Sequence, residues 1–248
     1  MSNYQQQVRC PAAEIDLAFW RQPEGVQVPD DELSFLLVPD AAESMAVAEL
    51  AQQVHAHQNT ASQPITCALM ATMGGMLPGI LLHDHLSAHV TPKDPAIAFG
   101  TIGVSLYKGP NERFDKPLVK QPASIPVDGE TVLVVDDLGD RGGTLRFLIK
   151  HLQEAGAQQV LSLVIYMKPQ AIKACPADFH FGEVEQDTWI ITPRETVETL
   201  CKRVPVWRAR GANEQECRRR LVELIGYPPR LVEQYLPRVF AQADAATC

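Results

Sequence analysis

The sequence predicts an α/β fold in which a parallel β-sheet is flanked by helices. Strand candidates alternate with helix candidates along the middle of the chain, which is typical of such a sheet. Residues 132–135 are apolar at every position and predict a central strand covered on both faces. The chain has 248 residues, of which 46% are hydrophobic and 21% charged, so it can bury one substantial core with terminal additions.

The elements follow in chain order. Residues 1–32 are rich in Gln, Pro and acidic residues and predict an N-terminal arm with one short element near residues 15–20. After Pro39, apolar residues at helical spacing predict an amphipathic helix that Asp40 or Ser44 can cap. The core elements that follow are strands at 65–70, 96–106, 131–136 and 160–167, with helices from about Leu77 and over 144–155.

Two further segments have a different composition. Residues 107–127 contain four prolines, several charges and little apolar pattern, and they predict a long exposed loop. After Pro193 the helical pattern returns at 195–202, 213–225 and 230–241. This pattern predicts a helical C-terminal extension over residues 194–248.

Composition also bears on partners and location. A formal net charge of -8 makes nucleic acid an unlikely partner. The six cysteines form no CxxC pair and are expected to stay reduced, as in the cytoplasm. The most apolar stretch, residues 66–82, is broken by Gly and Pro and is short for a membrane span, and the first residues have no secretory pattern. We therefore expect a cytoplasmic protein without a membrane segment.

The candidate chemistry follows the central strand. Asp136 and Asp137 end this strand, and ligands of open α/β sheets bind at that edge. Two adjacent carboxylates are costly to bury unless a positive or hydrogen-bonding group meets them, as a sugar diol with a nearby Mg²⁺ ion does. The pair therefore predicts a sugar site with magnesium.

A glycine-rich turn connects this strand to the next helix. Gly142 and Gly143 permit tight turning, and successive amide N–H groups beside a helix N-terminus attract an anion. Thr144 adds a hydroxyl donor. The turn therefore predicts a phosphate cradle next to the acid pair.

The segment DDLGDRGGT resembles the ribose-phosphate-binding motif of type I phosphoribosyltransferases. The resemblance implies that Asp136 and Asp137 engage the ribose hydroxyls, take part in catalysis, and hold Mg²⁺ directly or through water and those hydroxyls. It implies that Asp140 lies near the purine N7, where it can act as the general base, and that residues 141–144 hold the 5-phosphate of 5-phosphoribosyl-1-pyrophosphate. Arg141 stands where the family usually has Thr.

Residues 166–169, 177–179 and 186–190 resemble the purine-binding hood of xanthine-guanine and related phosphoribosyltransferases. The resemblance implies that Lys168 donates to the exocyclic oxygen at C6, that Trp189 stacks on the ring, and that the backbone at Ile190 contacts the other exocyclic group. An ammonium group favours a 6-oxo group over a 6-amino group, and an indole stacks well on a purine. These positions therefore predict 6-oxopurines as substrates.

Residues 72–79 resemble the pyrophosphate loop of the same enzymes, with Gly74 and Gly75 in the loop and Met73 where the family commonly has Arg or Lys. The segment 107–127 stands where the family has its catalytic lid, which implies lid roles for Tyr107 and Lys108. The resemblance covers residues 33–193, including a hood at about 166–193, between the arm and the helical extension. Dimers are common in this family, so a homodimer is expected.

The resemblance implies transfer of a phosphoribosyl group from phosphoribosyl pyrophosphate to a 6-oxopurine, with release of pyrophosphate, as in purine salvage. Met73 and Arg141 keep a second hypothesis open. In that hypothesis the protein is a regulator with the same fold that senses phosphoribosyl pyrophosphate or nucleotides without turnover. An enzyme that uses another base or amine acceptor is the third possibility.

Overall fold

The computed structural model describes residues 15–86, 96–109 and 112–245. Its strands are β1 (Val26–Gln27), β2 (Ser34–Leu37), β3 (Cys67–Thr72), β4 (Ala98–Gly109), β5 (Glu112–Gln121), β6 (Thr131–Gly139), β7 (Gln159–Met167), β8 (Phe179–Glu183) and β9 (Thr188–Ile191). Its helices are α1 (Leu17–Arg21), α2 (Asp40–Thr60), α3 (Met76–His85), α4 (Gly143–Glu154), α5 (Pro169–Ala174), α6 (Thr196–Ala209), α7 (Glu214–Arg219), a π-helical turn (Arg220–Ile225) and α8 (Pro229–Ala245).

The central sheet has six strands in the order β5-β4-β3-β6-β7-β8. All neighbours are parallel except β4 and β5. This arrangement confirms the predicted α/β fold with a mainly parallel sheet. Within the described part of the chain, no helix is both long and apolar enough to cross a membrane.

Strand β6 is central because its side chains are apolar on both faces. Leu133 and Val135 pack toward α2, whereas Val132 and Val134 pack toward α4, and all four are fully buried. The two cores on either side of the sheet therefore hold β6 in place, and with it the residues at its carboxyl end.

A second, smaller sheet has the order β1-β2-β9, and β2 pairs parallel with β9. One of its faces carries Phe35 and Ile191, which pack in a third core with Trp207 of α6 and with Tyr227, between the π-helical turn and α8. At its edge, the fully buried carboxylate of Asp31 accepts hydrogen bonds from Arg203 and Trp207, each at 2.5 Å. The helical extension is thus packed onto this small sheet.

The prediction of an exposed loop over residues 107–127 is wrong for most of its length. Strand β4 runs to Gly109, and β5 continues from Glu112 to Gln121, antiparallel to β4. Strand β5 lies at the sheet edge. On the outer side of an edge strand no neighbouring strand needs a backbone N–H, so a proline such as Pro117 is tolerated there. The prolines and charges were therefore compatible with an edge strand.

The predicted cap of α2 is also wrong. Pro39 occupies the N-cap position, and no side chain caps the helix. Asp40 and Glu43 instead lie in the first turn, where the negative charge of Asp40 interacts favourably with the helix dipole.

Candidate active site

The acid pair and the loop between β3 and α3 lie against each other. A methyl group added to Gly74 would stand 2.3 Å from Asp136 Oδ1 and 2.5 Å from Asp137 Oδ1. One added to Gly75 would stand 1.9 Å from the carbonyl oxygen of Val135. The two motifs predicted for ribose and for pyrophosphate therefore meet at one place, and both loop positions require glycine.

The two carboxyl groups have different surroundings. Asp136 accepts a hydrogen bond from the backbone N–H of Asp137 at 3.0 Å. Desolvation and the neighbouring Asp137 charge raise the pKa of Asp136 well above its ordinary value. Asp137 is 8% exposed and forms an ion pair with Arg194. Arg194 thus compensates the charge of one member of the pair.

A third acid lies behind the pair. Glu43 of α2 is 2% exposed, and its Oε2 atom has no hydrogen-bond partner. Desolvation and the charge of Asp137 raise the pKa of Glu43 to about 7. The base of the site is therefore rich in carboxyl groups that are not all ionised at neutral pH.

The glycine-rich turn forms a cavity of about 220 Å³ beside the acid pair. Gly142 has a φ of 72°, and its α-carbon lies so close to Cys175 that an added methyl would be 3.2 Å from Cys175 Cβ. Helix α4 begins at Gly143, so the turn presents a helix N-terminus to this space. The cavity is lined by Asp136, Leu138, Gly139, Asp140, Arg141, Gly142, Gly143, Thr144, Leu145 and Val164.

Arg141 does not fill this cavity. Its side chain is 61% exposed and lies 3.8 Å from Asp140 Oδ2. The guanidinium group therefore lies at the solvent-exposed edge of the cavity.

Lys168 and Asp140 form the next part of the site. The Lys168 ammonium lies 3.0 Å from Asp140 Oδ1, and its side chain is 10% exposed. The backbone N–H of Lys168 donates to the carbonyl of Gly139 at 2.8 Å, which links the ends of β6 and β7. Gln186 places its amide 3.5 Å from Asp140 Oδ1 and accepts from the backbone N–H of Gln170 at 3.0 Å. The Lys168 ammonium and the Asp140 carboxylate thus lie next to each other on one side of the site.

The two hood residues on β9 point to opposite faces of the small sheet. Ile190 packs in the core that includes α2, with its side chain buried. The half-buried Trp189 faces the C-terminal helices, where its indole N–H donates to Thr199 at 2.9 Å and Lys202 lies 5.5 Å from the ring centre. Helix α6 therefore sets the orientation of Trp189.

The remaining predicted positions lie on two other elements. Met73 of the β3–α3 loop is 69% exposed, and the peptide bond before it is cis. Tyr107 and Lys108 belong to the backbone of β4, where Tyr107 is in register with Arg113 of β5. The two residues predicted to act as a lid thus lie on a strand pair at the sheet edge.

Comparison with known proteins shows the family of this chain. Residues 39–196 match the model of the phosphoribosyl transferase domain. The match covers more than half of the chain, which therefore belongs to the phosphoribosyltransferase family.

Among its relatives, the xanthine-guanine phosphoribosyltransferase of Gluconobacter oxydans is 29% identical over 60% of this chain and 78% of that protein. The enzyme of the same name from Idiomarina loihiensis is 30% identical over 50% of this chain and 68% of that protein. A solved purine phosphoribosyltransferase from Pyrococcus horikoshii superposes with a TM-score of 0.51 at 21% identity, over 64% of this chain and 92% of that one, and shows the shared fold.

Three residues near the site were missed from the sequence. Arg194 and Glu43 come from segments far along the chain from the acid pair, and Gln186 was included in a motif without a role. The charge of Arg194 directly after Pro193 was the available signal, but a lone arginine before a helix does not reveal its partner.

Proposed function

We propose that the protein transfers a phosphoribosyl group from phosphoribosyl pyrophosphate to a 6-oxopurine and releases pyrophosphate, a reaction of purine salvage. The observation that carries the proposal is the cavity of about 220 Å³ at the turn into α4, directly beside two carboxyl groups and next to the pair of Lys168 and Asp140. The names of the related enzymes support the choice of base.

The sugar phosphate is held from two sides. Amide N–H groups of Gly142 and Gly143 and the Thr144 hydroxyl donate to the 5-phosphate, with Arg141 at the entrance. Asp136 and Asp137 accept hydrogen bonds from the ribose hydroxyls. The loop of Gly74 and Gly75 offers its backbone to the pyrophosphate.

Magnesium fits this donor set. Among the described residues, no three His, Cys, Asp or Glu side chains are arranged to hold a metal ion by themselves. Mg²⁺ is usually bound through one or two carboxylates and substrate phosphates, which is what Asp136 and Asp137 with a diphosphate provide. When bound, the ion would neutralise charge on the leaving pyrophosphate.

The hydrogen-bonding groups at C6 and N7 of a 6-oxopurine are complementary to Lys168 and Asp140. In a 6-oxopurine with its proton on N7, the C6 oxygen accepts a hydrogen bond and the adjacent N7–H donates one. Lys168 is a donor and Asp140 an acceptor, and they lie 3.0 Å apart. As N9 attacks C1 of the ribose and the bond to pyrophosphate breaks, Asp140 accepts the N7 proton. A 6-amino group would place a donor against the ammonium, so adenine is disfavoured.

The remaining roles complete the proposal. Trp189 stacks on the base, the backbone at Ile190 contacts its second exocyclic group, and the β4–β5 strand pair with Tyr107 and Lys108 closes over the bound substrates. A homodimer and a cytoplasmic location stay predictions from the sequence.

The test is direct. Purified protein is mixed with Mg²⁺, phosphoribosyl pyrophosphate and one base at a time, and nucleotide is measured by chromatography. We expect product with hypoxanthine, guanine or xanthine and far less with adenine. Asp140→Asn should lower kcat by about 10²-fold or more, whereas Asp84→Asn, on the exposed end of α3, should not. Absence of turnover with every 6-oxopurine would contradict the proposal.

One observation favours a second function. Met73 puts an exposed apolar side chain where a cation would steady pyrophosphate, which suits a sensor that binds phosphoribosyl pyrophosphate without consuming it. Calorimetry separates the two functions, because a sensor gives a binding isotherm and no product.

A further inference from the structure

Arg194 connects the C-terminal extension to the end of the central strand. It directly precedes the N-cap of α6, and its guanidinium forms an ion pair with Asp137 and a second one with Glu195 at 3.1 Å. Its side chain is 26% exposed, so these contacts are partly shielded from water. Both contacts are made by the same guanidinium nitrogen, Nη2, so one donor group holds both carboxylates.

Asp137 is held between Arg194 and the β3–α3 loop. Its Oδ2 atom meets the guanidinium, and its Oδ1 atom lies against Gly74, where an added methyl would be 2.5 Å away. The carboxyl group is therefore fixed in one orientation from two directions.

The surroundings of Arg194 are strongly acidic. Besides its two partners, Asp136 and Glu43 also interact electrostatically with the guanidinium. Phosphoribosyl pyrophosphate is itself an anion, so unbalanced carboxylates at this place would repel it. A fixed cation is thus required where the sugar is to bind.

We propose that Arg194 is a positioning residue of the substrate site, which holds Asp137 for the ribose and supplies the positive charge that an anionic sugar diphosphate needs beside these acids. The proposal rests on the proposed function and adds to it a role for the C-terminal extension. A further consequence is that Arg194 reduces the amount of Mg²⁺ needed for binding, because the ion and the guanidinium offset the same negative charge.

Calorimetric titration with phosphoribosyl pyrophosphate, repeated over a series of Mg²⁺ concentrations, tests the proposal without requiring turnover. For Arg194→Gln we expect affinity to fall by about tenfold or more and to recover in part as Mg²⁺ is raised. Arg194→Lys keeps the charge and should keep the Mg²⁺ dependence of the wild type. The matched control is Arg210→Gln in the same extension, which removes an ion pair with Glu32. It should alter neither the affinity nor its Mg²⁺ dependence.

A purely structural arginine would change the melting temperature without changing the Mg²⁺ dependence. Unchanged affinity and unchanged Mg²⁺ dependence in a folded Arg194→Gln would overturn the proposal, and so would tighter binding, which would mean that Arg194 blocks the site. If Arg194→Gln does not fold, Arg194→Lys decides: an ammonium on a different side chain should not reproduce the place of the guanidinium between Asp137 and Glu195, so affinity should fall several-fold, and wild-type affinity would refute the positioning role. Failure of the wild type to bind phosphoribosyl pyrophosphate would instead count against the proposed function.

Discussion

Gly74 shows how little room the acid pair leaves around itself. Gly74→Ala would bring a methyl group within 2.5 Å of both carboxyl groups, so one of them must move. We expect a destabilisation of about 1–3 kcal/mol and a clear loss of affinity for phosphoribosyl pyrophosphate, measured by thermal unfolding and calorimetry.

The control for this change is Gly129→Ala. Gly129 has open space around it but a φ of 75°, so alanine there costs backbone strain alone. Stability should fall while ligand binding is kept. Equal binding by Gly74→Ala and the wild type would show that the loop does not touch the ligand site.

Glu43 gives a prediction about pH. Its pKa is about 7 in the folded protein against an ordinary value of 4.5, so the folded state binds this proton more tightly than the unfolded chain does. The contribution to stability is complete below the lower value and is lost as the pH rises from about 4.5 to about 7. Glu43→Gln cannot titrate and should lose less stability over this range, by up to about 3 kcal/mol.

Urea unfolding at several pH values measures this difference. Glu49→Gln, on a more exposed part of the same helix, is the control and should follow the wild type. Parallel stability curves for the wild type and Glu43→Gln would contradict a raised pKa at Glu43.

The predictable part of the site is the part that is contiguous in the chain. Strand β6, the acid pair and the turn into α4 follow one another within a few residues. The apolar run, the carboxylates and the glycines therefore all predict the same site. Arg194 and Glu43 reach that place only through tertiary packing, which no local pattern records. The short strand β2 was likewise absent from the predicted elements, because four residues give too weak a periodic signal.

At the scale of single elements, the edge strand β5 and the central strand β6 differ in the residues that they tolerate. Strand β6 was recognised because burial on both faces demands apolar residues, whereas β5 carries prolines and charges that only an edge tolerates. Composition therefore predicted the centre of the sheet correctly and its edge wrongly.

This contrast can be measured with one substitution in each strand. Leu133→Ala in β6 removes a fully buried side chain and should cost about 2–5 kcal/mol of unfolding free energy. Leu118→Ala in β5 changes a side chain that is 50% exposed and should cost well under 1 kcal/mol. Similar losses in denaturant unfolding would show that β5 is buried more than the structure indicates.

For the whole molecule, the question is whether the small sheet and its helices unfold together with the central sheet. Asp31, just before β2, links the small sheet to α6 through its buried hydrogen bonds from Arg203 and Trp207. Asp31→Ala removes the nearer partner of the buried Arg203, leaves Glu32 at 3.7 Å, and should cost about 3–5 kcal/mol. Glu32→Ala, at a 59% exposed side chain, should cost less than about 1 kcal/mol.

Calorimetric unfolding distinguishes the possibilities. If Arg194 and the shared contacts make one cooperative unit, Asp31→Ala shifts a single transition to lower temperature. If the extension is a separate unit, an additional early transition appears while the main one stays in place.

The pairing of β2 with β9 has a consequence for biosynthesis. Ser34 and Thr188 are 154 positions apart, and their hydroxyl groups lie 2.9 Å from each other. As the N-terminal part of the chain leaves the ribosome first, the strands and turn that line the cavity beside α4 are complete once β7 has emerged. The β2 strand can pair with β9 only after β9 has also emerged, so in a nascent chain the central sheet can form before the small sheet does.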